Sequence, residues 1–252
     1  MHSSIAVFVS LMGLSMALDK NNIAYLESYG FLPEQKGNSL ASVDLSVAIK
    51  EFQSLYYLPP TGVFDEATVA LMSKKRCGVK DKNGGRHRRH LAHKWKKDVI
   101  TYHLASTPPE LEAKFVASEV DRAIRDWGRF APSLKFRSVK YVDDADIVIR
   151  FQSSDEHDAK CDDKFGPSTL AHAYLPETGM VHFNTDFDWT ENDKLGRVMY
   201  HEIGHALGLQ HEFADEKGSY DVSFEKAISR CCPTSCVLNE NLILHDKASY
   251  FF

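Results

Sequence analysis

The feature that most constrains this chain is the stretch from His201 to His211, which has the sequence HEIGHALGLQH. On an α-helix, His201 and His205 project from one face a turn apart, so two neutral imidazoles can bind one Zn²⁺ ion at about 2.0–2.1 Å. Gly208 permits the positive φ that ends a helix and turns the chain, which lets His211 return as a third ligand. Three protein ligands leave a fourth position open, as catalytic zinc requires.

Glu202 directly follows the first of these histidines and is the candidate catalytic residue. A carboxylate beside the metal, rather than bound to it, can take a proton from the attacking water. Two histidines four residues apart also occur by chance on ordinary helix faces, but the added glycine and third histidine make the pattern specific. The stretch therefore predicts a zinc peptidase site on a helix that begins near Lys194.

Composition and the first residues indicate a secreted protein. The 252 residues are 43% hydrophobic and 26% charged with a net charge of −5, which suits a soluble protein and argues against a nucleic-acid binder. Residues 1–17 are typical of a secretory signal, because the apolar run Ile5–Leu14 is too short to span a bilayer and small residues follow it. No second apolar run approaches membrane length, so we expect a secreted chain without a membrane span.

The rest of the chain divides into two regions of different pattern. Residues 21–72 repeat apolar side chains near helical spacing, with a turn at Pro59–Gly62, which predicts a small three-helix unit. After residue 90, strands alternate with two long helices, which predicts an α/β (α+β) layer architecture with a mixed, twisted sheet. The expected domains are a signal peptide at 1–17, a helical prodomain at 18–89 and a catalytic domain at 90–252.

Individual elements of the second region can be placed from their periodicity. Alternating or short apolar runs predict four strands, at Val99–Leu104, Ala145–Phe151, Leu170–Tyr174 and Gly179–Phe183. A helix is predicted from Glu110 to Arg129 with one apolar face. The residues expected on that face are Phe115, Val116, Val120, Ala123, Ile124 and Trp127.

A basic run between the two regions contains Arg86, Arg88 and Arg89. In a secreted chain, this spacing in a glycine-containing loop predicts a cut site for a furin-type convertase. Two alternatives are a solvated linker and a polyanion-binding patch that extends from Arg86 to Lys97.

The cysteine count is odd, so at least one thiol lacks an intramolecular partner in a compartment that permits disulfides. The five cysteines are Cys77, Cys161, Cys231, Cys232 and Cys236.

The chain contains several independent motifs: Arg76-Cys77-Gly78 with Asp81, the basic run, Ala145-Asp146-Ile147, Leu170-Ala171-His172-Ala173, His182-Phe183 and the zinc helix. Together they resemble the matrixins (matrix metalloproteinases), which are metzincin zinc endopeptidases, in their minimal form without a haemopexin domain. Astacins are the nearest alternative because Glu212 follows the third histidine, but they lack the cysteine and Leu-Ala-His-Ala motifs. The resemblance implies hydrolysis of extracellular matrix proteins, collagen among them, by an enzyme made as a latent zymogen.

The resemblance gives Cys77 the role of a zinc ligand in the latent form, where its thiolate fills the open position at about 2.3 Å. Arg76 would hold the loop by pairing with a carboxylate, for which Asp81 is the candidate. Lys75 and Lys80 stand where the family has prolines, so latency is expected to be weaker. The alternative for Cys77 is a disulfide with another cysteine.

His157, His172 and His182 resemble the ligands of the family's second, structural zinc. The family's fourth ligand is an aspartate two residues after the first histidine, where this chain has Ala159. The adjacent Asp158 is the substitute candidate. These histidines could instead be polar residues of the surface.

The usual calcium sites are expected to be degraded, because Asn184 and Phe187 replace acidic residues and phenylalanine offers no oxygen ligand. For substrate binding, the resemblance implies that the strand containing Leu170 and Ala171 pairs with an extended peptide. It also places Arg197, four residues before His201, in the floor of the S1′ pocket, where a long charged side chain would shorten the pocket.

Residues 212–252 depart most from the family, because all six methionines precede His201 and the methionine turn is therefore missing. Val222, Phe224 or Ile228 could form the apolar floor instead. Three functions remain open: a latent zinc endopeptidase, a zinc-binding pseudoprotease and a polyanion-binding protein. An intact Glu202 favours the endopeptidase, since a binding site needs no general base.

Overall fold

The computed structural model describes residues 20–33, 44–82, 94–155, 165–190 and 194–211. The chain divides into two compact units. One contains Met1–Lys74 and Lys80–Arg86, and the other contains Lys75–Val79 and His87–Phe252. Several predicted features lie outside the described residues: the signal at 1–17, the basic run with Arg86, Arg88 and Arg89, and the tail at 212–252.

The first unit contains the three predicted helices: α1 at residues 20–28, α2 at Leu45–Leu55 and α3 at Glu66–Met72. An aspartate caps the second and third helices, because Asp44 accepts from the backbone N–H of Ser46 and Asp65 accepts from that of Thr68. The core is aromatic and aliphatic, with Leu26 and Phe52 fully buried. The three-helix prediction is confirmed.

The second unit contains a mixed six-stranded sheet in the order β1-β5-β6-β4-β2-β3. β5 is antiparallel to β6, and the other neighbouring pairs are parallel. The predicted α/β layer architecture is therefore confirmed. The strands are β1 (Arg76–Cys77), β2 (Val99–Leu104), β3 (Lys135–Ser138), β4 (Ile147–Gln152), β5 (Thr169–Ala173) and β6 (Met180–Asn184).

Two long helices pack together on the sheet: α4 (Ala113–Phe130) and α5 (Lys194–Ala206). The indole N–H of Trp127 donates to the backbone carbonyl of Tyr200 at 2.9 Å, and the two rings stack at 4.6 Å. At the end of α5, the indole of Trp95 donates to the carbonyl of Ala206 at 2.9 Å, which satisfies one of the free carbonyls of the last turn. Both tryptophans hold the helix that carries the histidines.

The predicted apolar face of α4 is correct except at Phe115. Val116, Val120, Ala123, Ile124 and Trp127 are buried, whereas Phe115 is 48% exposed. Successive helical residues are separated by about 100°, so Phe115 lies beside Val116 rather than on the buried stripe. The prediction for Phe115 was wrong because its hydrophobicity was given more weight than its position.

Asp146 joins the beginnings of β2 and β4. Its carboxylate accepts from the backbone N–H of Thr101 at 2.8 Å and from the ammonium of Lys97 at 2.5 Å. Burial acts to raise the pKa of Asp146, but the bonds from Lys97 and Thr101 outweigh it and hold that pKa below its usual value.

Across the described ranges, no helix combines the length and the apolar character needed to cross a membrane.

Candidate active site

The histidines of the zinc motif meet at the end of α5, as the sequence predicted, and are called here the helix cluster (His201, His205 and His211). The Nε2 atom of His205 lies 3.0 Å from that of His201 and 3.2 Å from that of His211. The remaining pair, His201 and His211, is 3.3 Å apart. Three ring nitrogens therefore face one point.

The end of α5 has the geometry that this convergence needs. Gly208 has φ +106°, a value that residues with a side chain rarely adopt. The N–H of Leu209 donates to the carbonyl of Gly204 and that of Gly208 donates to the carbonyl of His205, which together form a Schellman motif. The turn reverses the chain, so His211 returns towards the first two histidines.

A backbone carbonyl also fixes the orientation of the His205 ring. Its Nδ1 lies 2.8 Å from the backbone carbonyl of Leu209, so Nδ1 carries the proton and Nε2 presents its lone pair to the cluster. Desolvation, followed by the charges of His205, His211 and Arg76, lowers the pKa of His201 well below its usual value. Neutral imidazole is the form that binds a metal.

Cys77 completes the set of donors. One ligand atom from each of Cys77, His201, His205 and His211 can be chosen so that all four lie within 4.8 Å of one another. A tetrahedral zinc site with bonds of 2.0–2.1 Å separates its nitrogen ligands by about 3.3 Å, which matches the spacing of the three Nε2 atoms. Three neutral imidazoles and a cysteine sulfur, which binds as the thiolate, are also the donors that zinc prefers, so these residues fit the ion.

Glu202 is fully buried beside the cluster. Among the described residues, no N–H or hydroxyl group donates to its carboxylate oxygens, and the Cys77 side chain is its polar neighbour. Burial raises the pKa of Glu202 to about 8, while the adjacent Cys77 side chain acts in the opposite direction. A carboxyl beside the metal ligands, rather than among them, can both accept and release a proton.

Cys77 is a free thiol on β1, which adds to the edge of β5 in parallel register. The N–H of Arg76 donates to the carbonyl of Ser168 at 2.9 Å, and that of Gly78 donates to the carbonyl of Ala171 at 2.8 Å. Burial, followed by the charge of Glu202, raises the pKa of the Cys77 thiol well above its usual value, so a nearby cation would be needed to make it a thiolate.

The strand β1 was not predicted from the sequence. A two-residue strand is too short to show an alternating pattern, so periodicity gave no signal for it. Arg76 is 3% exposed, and its Nε donates to the carbonyl of Cys77 at 3.1 Å. Its pairing with Asp81 stays a prediction.

A second pair of histidines lies in the sheet and is called here the sheet pair (His172 and His182). The residues are register partners across β5 and β6, and Nε2 of His172 lies 3.1 Å from Nδ1 of His182. Burial, followed by the charge of His182, lowers the pKa of His172 to about 3, so this ring is neutral. The other two candidates for the structural zinc, His157 and Asp158, lie outside the described residues.

The remaining candidate residues lie on β5, β6 and α5 and in the segment after β6. Leu170 and Ala171 are buried on β5, whose edge β1 occupies, and Arg197 is exposed on α5. Asn184 uses its side chain within the fold, because its amide donates to the carbonyl of Thr169 and its oxygen accepts from the N–H of Asp186. Phe187 packs against the core.

Known proteins share this organisation. The matrixin family model matches residues 94–221, and that of the putative peptidoglycan binding domain matches residues 24–72. Human matrix metalloproteinase-19 is 35% identical over 198 residues, which cover 75% of this chain and 38% of that protein. Mouse stromelysin-1 is 36% identical over 208 residues, which cover 79% and 43%. The hatching enzyme of Paracentrotus lividus is 34% identical over 193 residues, which cover 75% and 32%.

The chain spans less than half the length of these relatives. The matrixin match covers about half of the chain and includes β2 to β6, α4 and the whole helix cluster. A family that implies zinc thus agrees with a site whose donors fit zinc. With the sheet, the two helices and the cluster in agreement, this chain belongs to the matrixin family of metallopeptidases.

Proposed function

We propose that this chain is the latent form of a secreted zinc-dependent endopeptidase that hydrolyses peptide bonds of extracellular matrix proteins. The observation that carries the proposal is the convergence of three histidine Nε2 atoms and the Cys77 thiol beside the buried carboxyl of Glu202. A structural zinc site needs four protein ligands and no neighbouring base, whereas this arrangement supplies three histidines, a removable fourth donor and a base.

His201, His205 and His211 would hold the catalytic zinc. When bound, the ion supplies Lewis-acid activation of a water molecule and of the scissile carbonyl. Glu202 accepts the proton of the attacking water and passes it to the leaving amine. The Nδ1 contact of His205 with the carbonyl of Leu209 keeps that ring in its ligating tautomer.

The substrate binds as an extended strand along the edge of β5, through the backbone of Leu170 to Ala173. In the latent chain β1 occupies this edge, and Cys77 occupies the position next to the three histidines. A furin-type convertase would activate the chain by cutting after Arg89. The resulting boundaries are a signal at 1–17, a prodomain at 18–89 and a catalytic domain at 90–252.

Other features of the proposal concern metals and specificity. A second, structural zinc would be held by His157, Asp158, His172 and His182, of which the sheet pair is the described part. The calcium sites of the family are proposed to be degraded, because Asn184 is engaged within the fold and Phe187 offers no oxygen. Arg197 is proposed to shorten the S1′ pocket and to favour leucine or isoleucine at P1′.

The test is peptide hydrolysis by the full chain cut after Arg89, measured with and without a zinc chelator. We expect hydrolysis that stops with the chelator and returns on adding zinc. Zinc bound at one or more ions per chain without hydrolysis of any peptide would instead identify a zinc-binding pseudoprotease. A peptide library in the same assay tests the P1′ preference, which large aromatic residues would contradict.

A further inference from the structure

β1 is a peptide strand bound to the edge of β5, so the residues beside it show what this edge accepts. Its backbone bonds join Arg76 to Ser168 and Gly78 to Ala171, with Cys77 between them at the helix cluster. Lys75 precedes Cys77 by two positions and continues the bound segment beyond the cluster. The surroundings of Lys75 therefore define a side-chain position along the edge.

Lys75 lies over an aromatic ring. Its Nζ atom is 4.8 Å from the ring centroid of Phe187, a distance typical of a cation–π interaction. The Phe187 ring is partly buried and packs against the core of the second unit, so its orientation is fixed by the fold rather than by Lys75. Both faces of an aromatic ring carry the negative part of its quadrupole, so the face that Lys75 covers attracts a cation.

Asp188, the residue after Phe187, has a carboxylate that is oriented by its neighbours. Its oxygen accepts from the backbone N–H of Thr190 at 2.8 Å and from the hydroxyl of Thr190 at 2.6 Å. These bonds are the main reason that the pKa of Asp188 is lowered, and the charges of Lys194 and Lys75 lower it further. Lys194 is buried, with its Nζ 5.9 Å from the ring of Trp189, so it stays in place when the bound segment leaves.

We propose that Phe187 and Asp188 form a cation-binding subsite of the peptide-binding edge, which holds Lys75 in the latent chain and a lysine or arginine side chain of the substrate after activation. An aromatic face alone would accept apolar side chains equally well, but an oriented carboxylate beside it favours a cation. The part of this proposal that concerns the substrate, called here the substrate half, rests on the proposed endopeptidase function. By the spacing of Lys75 from Cys77, the basic residue lies roughly two or three residues from the scissile bond.

The effect is modest because the position is exposed and Lys194 already balances part of the charge of Asp188. Exposed cation–π contacts change an equilibrium by about two- to fivefold, and exposed ion pairs change it by a similar or smaller factor.

The first experiment uses the full latent chain and needs no catalysis. The rate at which a thiol reagent labels Cys77, read by mass spectrometry of the peptide that contains it, reports how often β1 leaves the edge. We expect Lys75→Met to raise this rate by about two- to fivefold, Lys75→Glu to raise it further, and Lys75→Arg to leave it unchanged. Lys75→Met should add little to a Phe187→Leu chain, because the ring that binds the cation is already gone.

Lys140→Met is the matched control, because Nζ of Lys140 lies 5.3 Å from the ring of Tyr141 near β3, at the opposite edge of the sheet. It should not change the labelling of Cys77. If Lys75→Met and Lys75→Glu label at the rate of the parent chain, or if Lys75→Met has its full effect without the Phe187 ring, the subsite does not exist.

The second experiment uses the chain cut after Arg89 and peptides with lysine, norleucine or glutamate at each of three positions on both sides of the scissile bond. At one position we expect kcat/KM for lysine to exceed that for norleucine by about two- to fivefold, and Phe187→Leu to bring the ratio of the two values close to one. Hydrolysis without a preference for lysine would overturn the substrate half alone. Absence of any hydrolysis would overturn the endopeptidase proposal and the substrate half with it, while the labelling experiment still decides whether the subsite exists.

Discussion

The helix cluster and the sheet pair are built from the same side chain in two different ways. In the helix cluster, residues 201–211 supply all three imidazoles, through one helix and the turn that ends it. In the sheet pair, two residues ten positions apart meet because β5 and β6 pair in one register. His205 is 2% exposed while His201 and His211 are partly exposed, whereas His172 and His182 are both buried.

This difference in exposure suits the helix cluster to a catalytic role and the sheet pair to a structural role. The helix cluster contains two partly exposed histidines beside a buried carboxyl, so a substrate can reach it and it is suited to catalysis. Buried nitrogens between two strands have no such access, so the sheet pair is suited to holding the sheet together. Changes in the first group should therefore reduce activity, and changes in the second should reduce stability.

The largest effect is expected for Glu202→Ala. Loss of the general base should reduce kcat/KM for peptide hydrolysis by at least about 10²–10⁴-fold, because no other described carboxyl lies in the cluster. Zinc content, measured by metal analysis after dialysis, should stay that of the parent chain, since Glu202 is not a ligand. Turnover like that of the parent would remove the proposed role of Glu202.

His182→Ala should have the next largest effect, on stability. Deleting a fully buried ring between β5 and β6 should cost about 2–4 kcal/mol in urea unfolding with a chelator present. His201→Ala is the comparison variant, because His201 is less buried than His182 and its loss should cost less. Equal costs for the two variants would mean that the two groups do not differ as described.

Cys77→Ala should make the uncut chain active, because the thiol is the donor that fills the fourth position of the helix cluster. We expect at least about a tenfold rise in peptide hydrolysis by the full chain. The reason is that a loss of about 1.4 kcal/mol in the stability of the state with β1 bound changes the ratio of bound to released β1 tenfold. If the variant is as silent as the parent until residue 89 is cut, the thiol does not maintain latency.

The same comparison shows what the sequence could predict. The helix cluster follows from spacing alone, because histidines at i and i+4, a glycine and a third histidine fix a local geometry that the structure contains. The predicted strands β2, β4, β5 and β6 and the helices α4 and α5 also rest on local periodicity and are confirmed within one to three residues at each end.

Long-range features were harder to predict. Periodicity places His172 and His182 on strands, but only the β5–β6 register makes them partners. The pairing of Arg76 and Cys77 with β5 and the contact of Lys75 with Phe187 depend on chain segments that are far apart in sequence. Phe115 was wrongly predicted for a local reason: it is hydrophobic, but its position on α4 leaves it exposed.

The smallest effect on stability is expected for Asp146, which joins two strands of the sheet that contains the sheet pair. Its pKa is held below the usual value, so its charge stabilises the fold at neutral pH, and that contribution is lost as the pH falls through 3.8 and below. Asp146→Asn should cost about 1–2 kcal/mol in urea unfolding at pH 7, because an amide replaces the acceptor of charge-assisted bonds. The difference from the parent should shrink at the lowest pH where both remain folded, and exposed Asp143→Asn should show neither effect. A cost that does not vary with pH would mean that shape at Asp146, rather than its charge, supports the sheet.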